Sequence, residues 1–192
     1  MTRFHLVRHA PTHEKTFVGW RDVPADLSDT GSVARLNAAL PPKALLISSD
    51  LRRAVQTADA LGSGRRRLPN DPGLREFDFG DWDGKHFSQV EKTHPDLSRA
   101  FWEKPGDLAA PNGESWNNVA LRVSKVLNHL HGAHTGKDII VVGHFGMILT
   151  QLGIAQNQEP TLTLAQKIDN LSVTTIQRLP IGWRTHAINH VL

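Results

Sequence analysis

Three short apolar runs are the feature that most constrains how this chain can fold. They are Phe4 to Val7, Ala44 to Ser49 and Asp138 to Gly143, and each is bounded by polar residues. Runs of this kind, which do not alternate between apolar and polar residues, are typical of strands buried on both faces, and such strands belong to parallel sheets. The runs therefore predict a buried, mainly parallel sheet.

Amphipathic helices are predicted between and after these strands, because apolar residues recur there at i, i+3, i+4 and i+7. The predicted helices span Ser28 to Leu40, Asp50 to Gly62, Ser115 to Gly132 and Met147 to Ile154. Ser28, Asp50 and Ser115 are residue types that cap helix N-termini. Strand and helix alternate, so we predict an α/β fold of three layers, α/β/α, with a mainly parallel central sheet.

The rest of the chain consists of a C-terminal hairpin and a proline-rich middle segment. Val173 to Gln177 and Arg184 to Ile188 are predicted strands joined by a turn at Pro180 to Gly182. Between about residues 85 and 112, prolines separate short pieces of chain, and this segment is a candidate lid or cap, with surface-loop packing as the alternative. We predict one domain over residues 1–192 that carries this insertion.

Charge and composition narrow the class of protein. The chain has 22 Lys and Arg residues against 19 Asp and Glu residues, and a net charge of +3 is too small a surplus to indicate nucleic-acid binding. The densest basic run, Arg65 to Arg67, is interpreted as a solvated loop leading into a strand, with contact to a polyanion as the alternative. The N-terminal residues lack the apolar core of a signal peptide, and no stretch is suited to span a bilayer. We expect a cytoplasmic protein with no nucleic-acid or membrane partner.

Polar side chains follow the ends of all three predicted strands. Arg8 and His9 end the first strand, Arg52 and Arg53 open the helix after the second, and His144 follows the third. Each has a structural explanation when taken alone, but open α/β sheets bind ligands beyond the carboxyl ends of their strands. Guanidinium groups grip oxyanions with paired hydrogen bonds, and imidazoles can donate further ones. Together these residues predict a site for a tetrahedral anion.

Such a site suits phosphoryl transfer, in which catalysis consists mostly of positioning and charge neutralisation. The chain contains no cysteine, which excludes disulfides, thiolate metal sites and a cysteine nucleophile. It also shows no compact set of carboxylates for magnesium. A neutral histidine, which can attack phosphorus directly, is the remaining candidate nucleophile.

Five ordered segments of the chain resemble the histidine phosphatase superfamily, also called phosphoglycerate-mutase-like. They are Leu6 to Thr12, Ser48 to Ala58, Leu74 to Gly84, Gly113 to Ser115 and Val141 to Gly146. A single Arg-His pair would carry no weight, but these segments span most of the chain in family order. Within the family, the chain is most similar to the compact members, which include α-ribazole-phosphate phosphatase and broad-specificity phosphatases.

The resemblance implies a role for each site residue. His9 corresponds to the nucleophile that becomes phosphohistidine, and Glu76 to the acid that protonates the leaving oxygen and then activates water. Arg8 and Arg53 correspond to phosphate-binding residues, and His144 to a donor to the phosphoryl oxygens during transfer.

Two further residues, Thr12 and Lys15, are predicted to contact the substrate. Lys15 stands where many members of the family have an asparagine, and it either supplies a cation to the phosphate or points to solvent. Ala10 replaces the usual glycine after the nucleophile, which is tolerable if the backbone there has a negative φ. We expect these changes to affect efficiency or substrate preference rather than the class of reaction.

The other histidines and the aromatic residues receive structural interpretations. His129, His131 and His134 cluster at the predicted end of a helix, where a cation complements the helix dipole, and the remaining histidines show no pattern of partners. Arg52 is assigned to the helix surface. Several aromatic residues are candidates for the walls of a substrate pocket, with core packing as the alternative for most of them: Phe17, Trp20, Phe77, Phe79, Trp82 and Phe145.

The expected function is hydrolysis of a small phosphomonoester through a phosphohistidine intermediate, without a metal or a cofactor. Two alternatives stay open: phosphoglycerate mutase-type phosphoryl transfer, and a non-catalytic module that binds a phosphorylated ligand. Mutases of the family are longer, with segments that keep water from the phosphohistidine. The sequence identifies neither the substrate nor the oligomeric state.

Overall fold

A computed structural model describes residues 1–62 and 64–192, and in it a six-stranded sheet lies between two layers of helices. The strands are β1 (Thr2–Arg8), β2 (Leu45–Ser48), β3 (Arg66–Arg67), β4 (Asp138–Gly143), β5 (Val173–Arg178) and β6 (Trp183–His190). The helices are α1 (Thr30–Ala39), α2 (Arg52–Ala60), α3 (Phe87–Thr93), α4 (Pro95–Glu103), α5 (Trp116–Ala133), α6 (Phe145–Gln156) and α7 (Pro160–Leu164).

The order of the strands in the sheet brings three strand ends together. The order is β3-β2-β4-β1-β5-β6. The pairs β2 with β3, β2 with β4, and β1 with β4 are parallel, whereas β5 pairs antiparallel with both β1 and β6. The prediction of an α/β fold with a mainly parallel sheet is confirmed. Because β2, β4 and β1 are neighbours and run in the same direction, the residues that follow them meet at one edge of the sheet.

The apolar runs arise because both faces of the sheet are buried. In β4, Ile139 and Val141 belong to one core, which α5 and α6 cover, while Ile140 and Val142 belong to a second core under α1 and α2. All four side chains are fully buried. A strand in this environment needs an apolar side chain at every position, whichever way it points.

Two helix starts follow from side-chain caps. The Ser115 side chain accepts a hydrogen bond from the Asn118 N–H, and the Ser115 N–H donates back to the Asn118 side chain, which forms a capping box at α5. The predicted start at Ser115 is confirmed. At α1 the cap is Asp29 rather than the predicted Ser28, and it accepts from the Ser32 N–H at 3.0 Å.

The predicted cap at Asp50 is wrong. Helix α2 begins at Arg52, and its N-cap, Leu51, forms no side-chain cap bond. The Asp50 carboxylate instead accepts two hydrogen bonds from the Arg75 guanidinium, one of them from Nε at 2.7 Å. A paired, charge-assisted interaction of this kind is stronger than one bond to a helix N–H.

The interpretation of Arg65 to Arg67 as a solvated loop is also wrong. Arg66 and Arg67 form β3 themselves. The Arg65 guanidinium donates to the backbone carbonyls of Asn37 and Leu40, at the end of α1, and of Leu61, at the end of α2. A cation at two helix C-termini satisfies carbonyls that have no partner within their helices.

The segment from 85 to 112 contains two short helices. Pro95 occupies the first turn of α4, where its missing N–H is not needed. Phe101 of α4 is buried and packs edge to face against Trp82, with ring centroids 5.4 Å apart. The segment is therefore anchored to the core by an aromatic side chain, and its action as a lid stays a prediction.

The C-terminal hairpin forms as predicted from β5 and β6, with Gly182 in the turn at a φ of 75°. Among the described residues, no helix has both the length and the apolar character needed to cross a membrane.

Helix α5 offers a test of how the core stabilises the fold. Leu127 is 1% exposed in the core, whereas Leu121 on the same helix is 58% exposed. We expect Leu127→Ala to lower the free energy of unfolding by about 2–5 kcal/mol, because it leaves a cavity. The matched change Leu121→Ala should alter it by less than about 0.5 kcal/mol. Urea denaturation followed by circular dichroism measures both, and equal losses would contradict the described packing.

Candidate active site

Three neighbouring strands deliver polar side chains to one edge of the sheet. His9 follows β1, His144 follows β4 and Ser49 follows β2. The His9 N–H donates to the Gly143 carbonyl at 3.0 Å, and the Ser49 N–H donates to the Val142 carbonyl at 3.1 Å, so the ladder continues one residue beyond the strands. The rings of His9 and His144 lie edge to face with centroids 5.2 Å apart. The structure thus brings together the two histidines that the sequence singled out.

The hydrogen bonds of His9 determine which of its nitrogens is reactive. Nδ1 lies 2.6 Å from the Ala10 carbonyl oxygen, which can only accept, so Nδ1 carries the hydrogen. Nε2 then holds the lone pair, and it accepts from the Arg53 Nε–H at 3.3 Å. Burial, together with the charges of Arg53 and Arg8, lowers the pKa of His9 from 6.5 to about 3. The imidazole is therefore neutral, with a basic nitrogen turned towards an arginine.

Arg53 is held by the backbone of a neighbouring loop. Its side chain is 1% exposed, and its two terminal nitrogens donate to the carbonyls of Gly19 and Arg21 at 2.7 and 3.1 Å. Burial lowers the pKa of Arg53, and the negative charge of Glu76 opposes that effect. Neutral carbonyls bind this guanidinium without neutralising it, so no negative charge among the described residues offsets its positive charge at hydrogen-bond distance.

Arg8 approaches the same region from the end of β1. Its Nη1 donates to the Ile168 carbonyl at 2.6 Å, and its guanidinium carbon lies 5.4 Å from the centre of the Phe145 ring. Its Nε is buried and has no hydrogen-bond partner among the described residues. Burial lowers the pKa of Arg8, while the charge of Glu76 raises it. Both predicted phosphate-binding arginines thus lie within the electrostatic influence of Glu76.

His144 is fully buried at the N-terminus of α6, and Ser49 is its hydrogen-bond partner. His144 Nε2 lies 2.7 Å from the Ser49 hydroxyl, and Nδ1 is buried without a partner in the part of the chain that is described. Burial lowers the pKa of His144 well below its ordinary value, and Arg53 adds to that effect. Sequence reasoning missed Ser49, although the residue stands at the end of β2, where a polar residue is expected to face the site.

The Glu76 carboxylate is bound at the start of α6. Oε1 accepts from the N–H groups of Phe77 and Gly146 at 3.0 and 2.9 Å, and Oε2 lies 3.1 Å from the Gly146 nitrogen. A Cβ at Gly146 would lie 2.6 Å from Oε1, so only glycine leaves room for the carboxylate. The helix N-terminus favours a negative charge at this position.

A partly buried ion pair supports the backbone that carries Glu76. The Arg122 guanidinium donates to Glu114 at 2.9 and 2.7 Å and to the carbonyls of Gly73, Arg75 and Glu76. Glu114 belongs to a motif that the sequence identified. Arg122 was missed because no local pattern separates it from the other polar residues of α5.

The loop that holds Arg53 is itself anchored by Asp83. The Asp83 carboxylate accepts from the N–H groups of Gly19 and Arg21 at 3.2 and 2.9 Å. The Trp20 indole N–H, between them, donates to the Glu76 carbonyl at 2.8 Å. One loop therefore connects Arg53 to the segment of Glu76, and sequence reasoning assigned no role to Asp83.

The remaining predicted residues lie on or near the same loop. Thr12 is partly buried, and its hydroxyl lies 3.5 Å from the Glu14 nitrogen, while Lys15 is exposed. Their contacts with a substrate stay predictions. Arg52 is exposed on α2, as expected.

Ala10 is accommodated without strain. Its φ is negative, because it is not among the residues with a positive φ, and the condition set for this replacement is met. Its N–H donates to the Thr57 hydroxyl at 3.0 Å, and that hydroxyl donates to the Arg53 carbonyl at 2.8 Å. The backbone beside His9 is thus connected to the helix that carries Arg53.

The sequence showed no pattern of partners for the remaining histidines, but two of them pair with carboxylates. His5 Nε2 lies 2.9 Å from an Asp138 oxygen, and His13 Nε2 lies 2.6 Å from Asp26. Neither residue joins the cluster at the sheet edge. Among residues 1–62 and 64–192, no group of three or more His, Asp or Glu side chains has an arrangement that could hold a metal ion.

Comparison with known proteins identifies related sequences over nearly the whole chain. The family model of the histidine phosphatase superfamily (branch 1) matches residues 4–191. The chain is 30% identical over 183 residues to phosphoglycerate mutase-like protein 4 of Arabidopsis thaliana, which covers 90% of this chain and 77% of that protein. It is also 30% identical over 155 residues to the adenosylcobalamin/alpha-ribazole phosphatase of Salmonella typhimurium, which covers 76% of this chain and 75% of that protein.

A solved structure has the same fold. Bacillus stearothermophilus YhfR superposes with a TM-score of 0.91 at 24% sequence identity, and the alignment covers 100% of this chain and 98% of that chain.

The protonation state of His9 is open to direct measurement. With its pKa lowered to about 3, His9 should keep the nitrogen chemical shifts of a neutral imidazole with hydrogen on Nδ1 from about pH 8 down to about pH 4.5. In unfolded chain it should titrate near 6.5. Between the two pKa values only the unfolded chain binds this proton, so His9 makes the free energy of unfolding fall as the pH falls.

Two-dimensional ¹⁵N NMR spectra of histidine-labelled protein follow this titration, with protein in urea as the reference. Titration of the folded His9 near pH 6.5 would show that the described burial is wrong.

A substitution at Gly146 tests the described position of the Glu76 carboxylate. A Cβ at Gly146 would also lie 2.3 Å from the Phe77 ring, whereas a Cβ at Gly132 in α5 would meet no atom within 4 Å. We expect Gly146→Ala to lower the free energy of unfolding by about 1–3 kcal/mol through overpacking and to displace the Glu76 carboxylate in a crystal structure. Gly132→Ala should be neutral or stabilising by up to about 1 kcal/mol. If Gly146→Ala had the thermal stability of the wild type and Glu76 kept its position in the crystal structure, this geometry would be contradicted.

Proposed function

The chain belongs to the histidine phosphatase superfamily, and from that premise we propose that it hydrolyses phosphomonoesters by transferring the phosphoryl group to His9 and then to water. The relative named as an adenosylcobalamin/alpha-ribazole phosphatase supports a hydrolytic role. The observation that carries the mechanism is the state of His9, a neutral imidazole whose Nε2 lone pair faces the guanidinium of Arg53.

In the first step, His9 Nε2 attacks phosphorus and the bond to the ester oxygen breaks. Arg8 and Arg53 bind the phosphoryl oxygens. The Arg53 Nε–H then donates its hydrogen bond to one of these oxygens instead of to His9 Nε2, so the lone pair of Nε2 is free to attack. The Ala10 carbonyl, which accepts from Nδ1, stabilises the positive charge that develops on the ring.

His144 is suited to donate to a phosphoryl oxygen. The Ser49 hydroxyl accepts from the Leu51 N–H at 3.3 Å, so its own hydrogen is free for His144 Nε2. The imidazole hydrogen then resides on Nδ1, the nitrogen that has no partner among the described residues. Ser49 thereby selects the tautomer with an available donor.

Glu76 is the proposed acid and base. Oε1 accepts from the N–H groups of Phe77 and Gly146, whereas in the described part of the chain Oε2 accepts only from the shared Gly146 N–H, so we assign the proton to Oε2. It protonates the leaving alkoxide, which would otherwise leave poorly, and in the second step the carboxylate takes a proton from the water that attacks phosphohistidine.

We propose that this chemistry needs no divalent metal, because the buried Arg53 and the partly buried Arg8 supply the positive charge that magnesium provides at other phosphoryl-transfer sites. The cytoplasmic location and the absence of nucleic-acid and membrane partners stay predictions from the sequence. Mutase-type transfer differs only in the acceptor, a second alcohol in place of water. A non-catalytic binding module would bind phosphate without turnover.

Variants of His9 and Glu76 separate the two steps. His9→Ala should abolish both turnover and the phosphoenzyme. Glu76→Gln should slow alkyl phosphates by roughly 10²–10⁴, as is typical of general acid–base catalysis, but should slow p-nitrophenyl phosphate less, because nitrophenolate leaves without a proton. Rapid-quench assays with ³²P-labelled aryl phosphate should then detect acid-labile phosphoenzyme accumulating in Glu76→Gln.

The exposed residues His129 and Glu91 provide matched controls, since His129→Ala and Glu91→Gln should behave as wild type. Wild-type rates for Glu76→Gln on both substrates would exclude Glu76 as the acid, and Asp78 and Asp81 would be tested next.

All assays are run in EDTA to test metal independence. If EDTA abolished activity and added divalent metal restored it, metal independence would be refuted. Binding of phosphate without any turnover would favour the module.

A further inference from the structure

A pocket with aromatic walls opens beside Glu76. The concave space there measures about 390 Å³, part of which is open to solvent, and we call it the aromatic pocket. Its walls include six aromatic side chains: Phe77, Phe79, Phe101, Trp102, Trp116 and Phe145. The alternatives of pocket wall and core packing that the sequence left open therefore both apply to Phe77 and Phe79, which are buried and also line this space.

The aromatic pocket is continuous with the reaction centre. Glu76 and Gly146 line one end of it, and the Gly146 N–H binds the Glu76 carboxylate at 2.9 Å. Phe145, also in the wall, lies under the Arg8 guanidinium. In the proposed mechanism, Glu76 protonates the oxygen that joins phosphorus to the leaving group. The leaving group therefore extends from that oxygen, past Glu76, towards the aromatic pocket.

The charge of the pocket decides what leaving group it suits. Among the described residues that line it, Glu76 is the only one with an ionisable side chain. A carboxylate on the leaving group would lose its water among apolar side chains, without a cation in the wall to replace that water, which is costly. The neighbouring cation, Arg8, is assigned to the phosphoryl group.

The shape of the walls favours a flat group. Phe77 and Phe79 are nearly parallel, with centroids 5.9 Å apart, and Phe101 meets Phe77 edge-on at 6.2 Å. Phe101 and Trp102 come from α4, in the segment from 85 to 112, so this segment completes the wall. Aromatic faces and edges of this kind bind planar apolar groups well.

Resting on the proposed function, we propose that the enzyme is selective for phosphomonoesters whose leaving group is flat, apolar and uncharged, and that it discriminates against esters whose leaving group carries a carboxylate. The substrate class is thus aryl and arylalkyl phosphates, rather than phosphorylated hydroxy acids or amino acids.

Two esters that differ by one carboxylate test this proposal. In 2-phenylethyl phosphate and 2-(4-carboxyphenyl)ethyl phosphate, the scissile bond and the alcohol are nearly identical, so chemical reactivity does not distinguish them. We expect kcat/KM to be at least about tenfold higher for the uncharged ester, because only the charged one leaves a buried carboxylate unpaired. Equal values, or a preference for the carboxylated ester, would overturn the proposal.

The outcome with p-nitrophenyl phosphate separates this inference from the proposed function. If p-nitrophenyl phosphate is hydrolysed in a His9-dependent manner but 2-phenylethyl phosphate is not, or is no better than the carboxylated ester, the proposed function stands and the substrate class is wrong. If none of the three esters is hydrolysed, the proposed function fails and the inference fails with it.

A designed reversal of selectivity provides an independent test. Leu108 lines the pocket and is 40% exposed, so an arginine there can keep contact with water. Leu108→Arg should shift the ratio of kcat/KM values towards the carboxylated ester by about tenfold, the effect of one charge-assisted hydrogen bond. Leu121→Arg, which adds the same charge to an exposed site on α5, should leave the ratio unchanged. An identical ratio in the two variants would show that the leaving group does not occupy the aromatic pocket.

Discussion

The site depends on the burial of the Arg53 guanidinium among neutral acceptors. Arg53 is 1% exposed, and it is bound by two loop carbonyls and by His9 Nε2. Among the described residues, no carboxylate lies within ion-pair distance of it. Burying a charge is costly unless hydrogen bonds replace water, which the carbonyls do without cancelling the charge. Burial of the His9 ring, together with the positive potential of Arg53, keeps His9 neutral, and the same potential favours an anion at the end of the sheet.

Two sets of hydrogen bonds, which we call supporting frames, hold Arg53 and Glu76 in place. Asp83 binds the loop that holds Arg53, and the Arg122–Glu114 pair binds the segment that carries Glu76. Trp20 joins the two frames through its hydrogen bond to the Glu76 carbonyl. Each frame uses a charged side chain to satisfy backbone groups, which restricts the position of the loop more than apolar packing would. The active groups are thereby oriented before any ligand binds, as electrostatic catalysis requires.

Three departures from the sequence-based predictions share one cause, which is competition between a local pattern and a distant partner. Asp50 precedes a helix and has the right side chain to cap it, yet Arg75 offers it two charge-assisted hydrogen bonds. Arg65 lies in a basic run that indicates a solvated loop, yet its guanidinium binds carbonyls at the ends of two helices. His5 lies in an apolar strand and has a carboxylate partner 133 residues away. In each case at least one partner lies 25 or more residues away along the chain, outside any local window.

What the sequence determined by itself is what depends on short-range patterns. Apolar runs follow from burial of a strand on both faces, helix starts such as Ser115 follow from local caps, and ordered motifs indicated the residues that meet at the sheet edge. Only the tertiary structure decided the chemical state of those residues. The hydrogen-bond partner of His144 is Ser49, 95 residues away, and the position of the Glu76 carboxylate depends on the N–H of Gly146, 70 residues away. The apolar character of the aromatic pocket likewise depends on α4, α5 and α6 meeting beside Glu76. Hydrogen bonding, loss of water and electrostatic potential act through space, so they are set by which distant segments the fold places in contact.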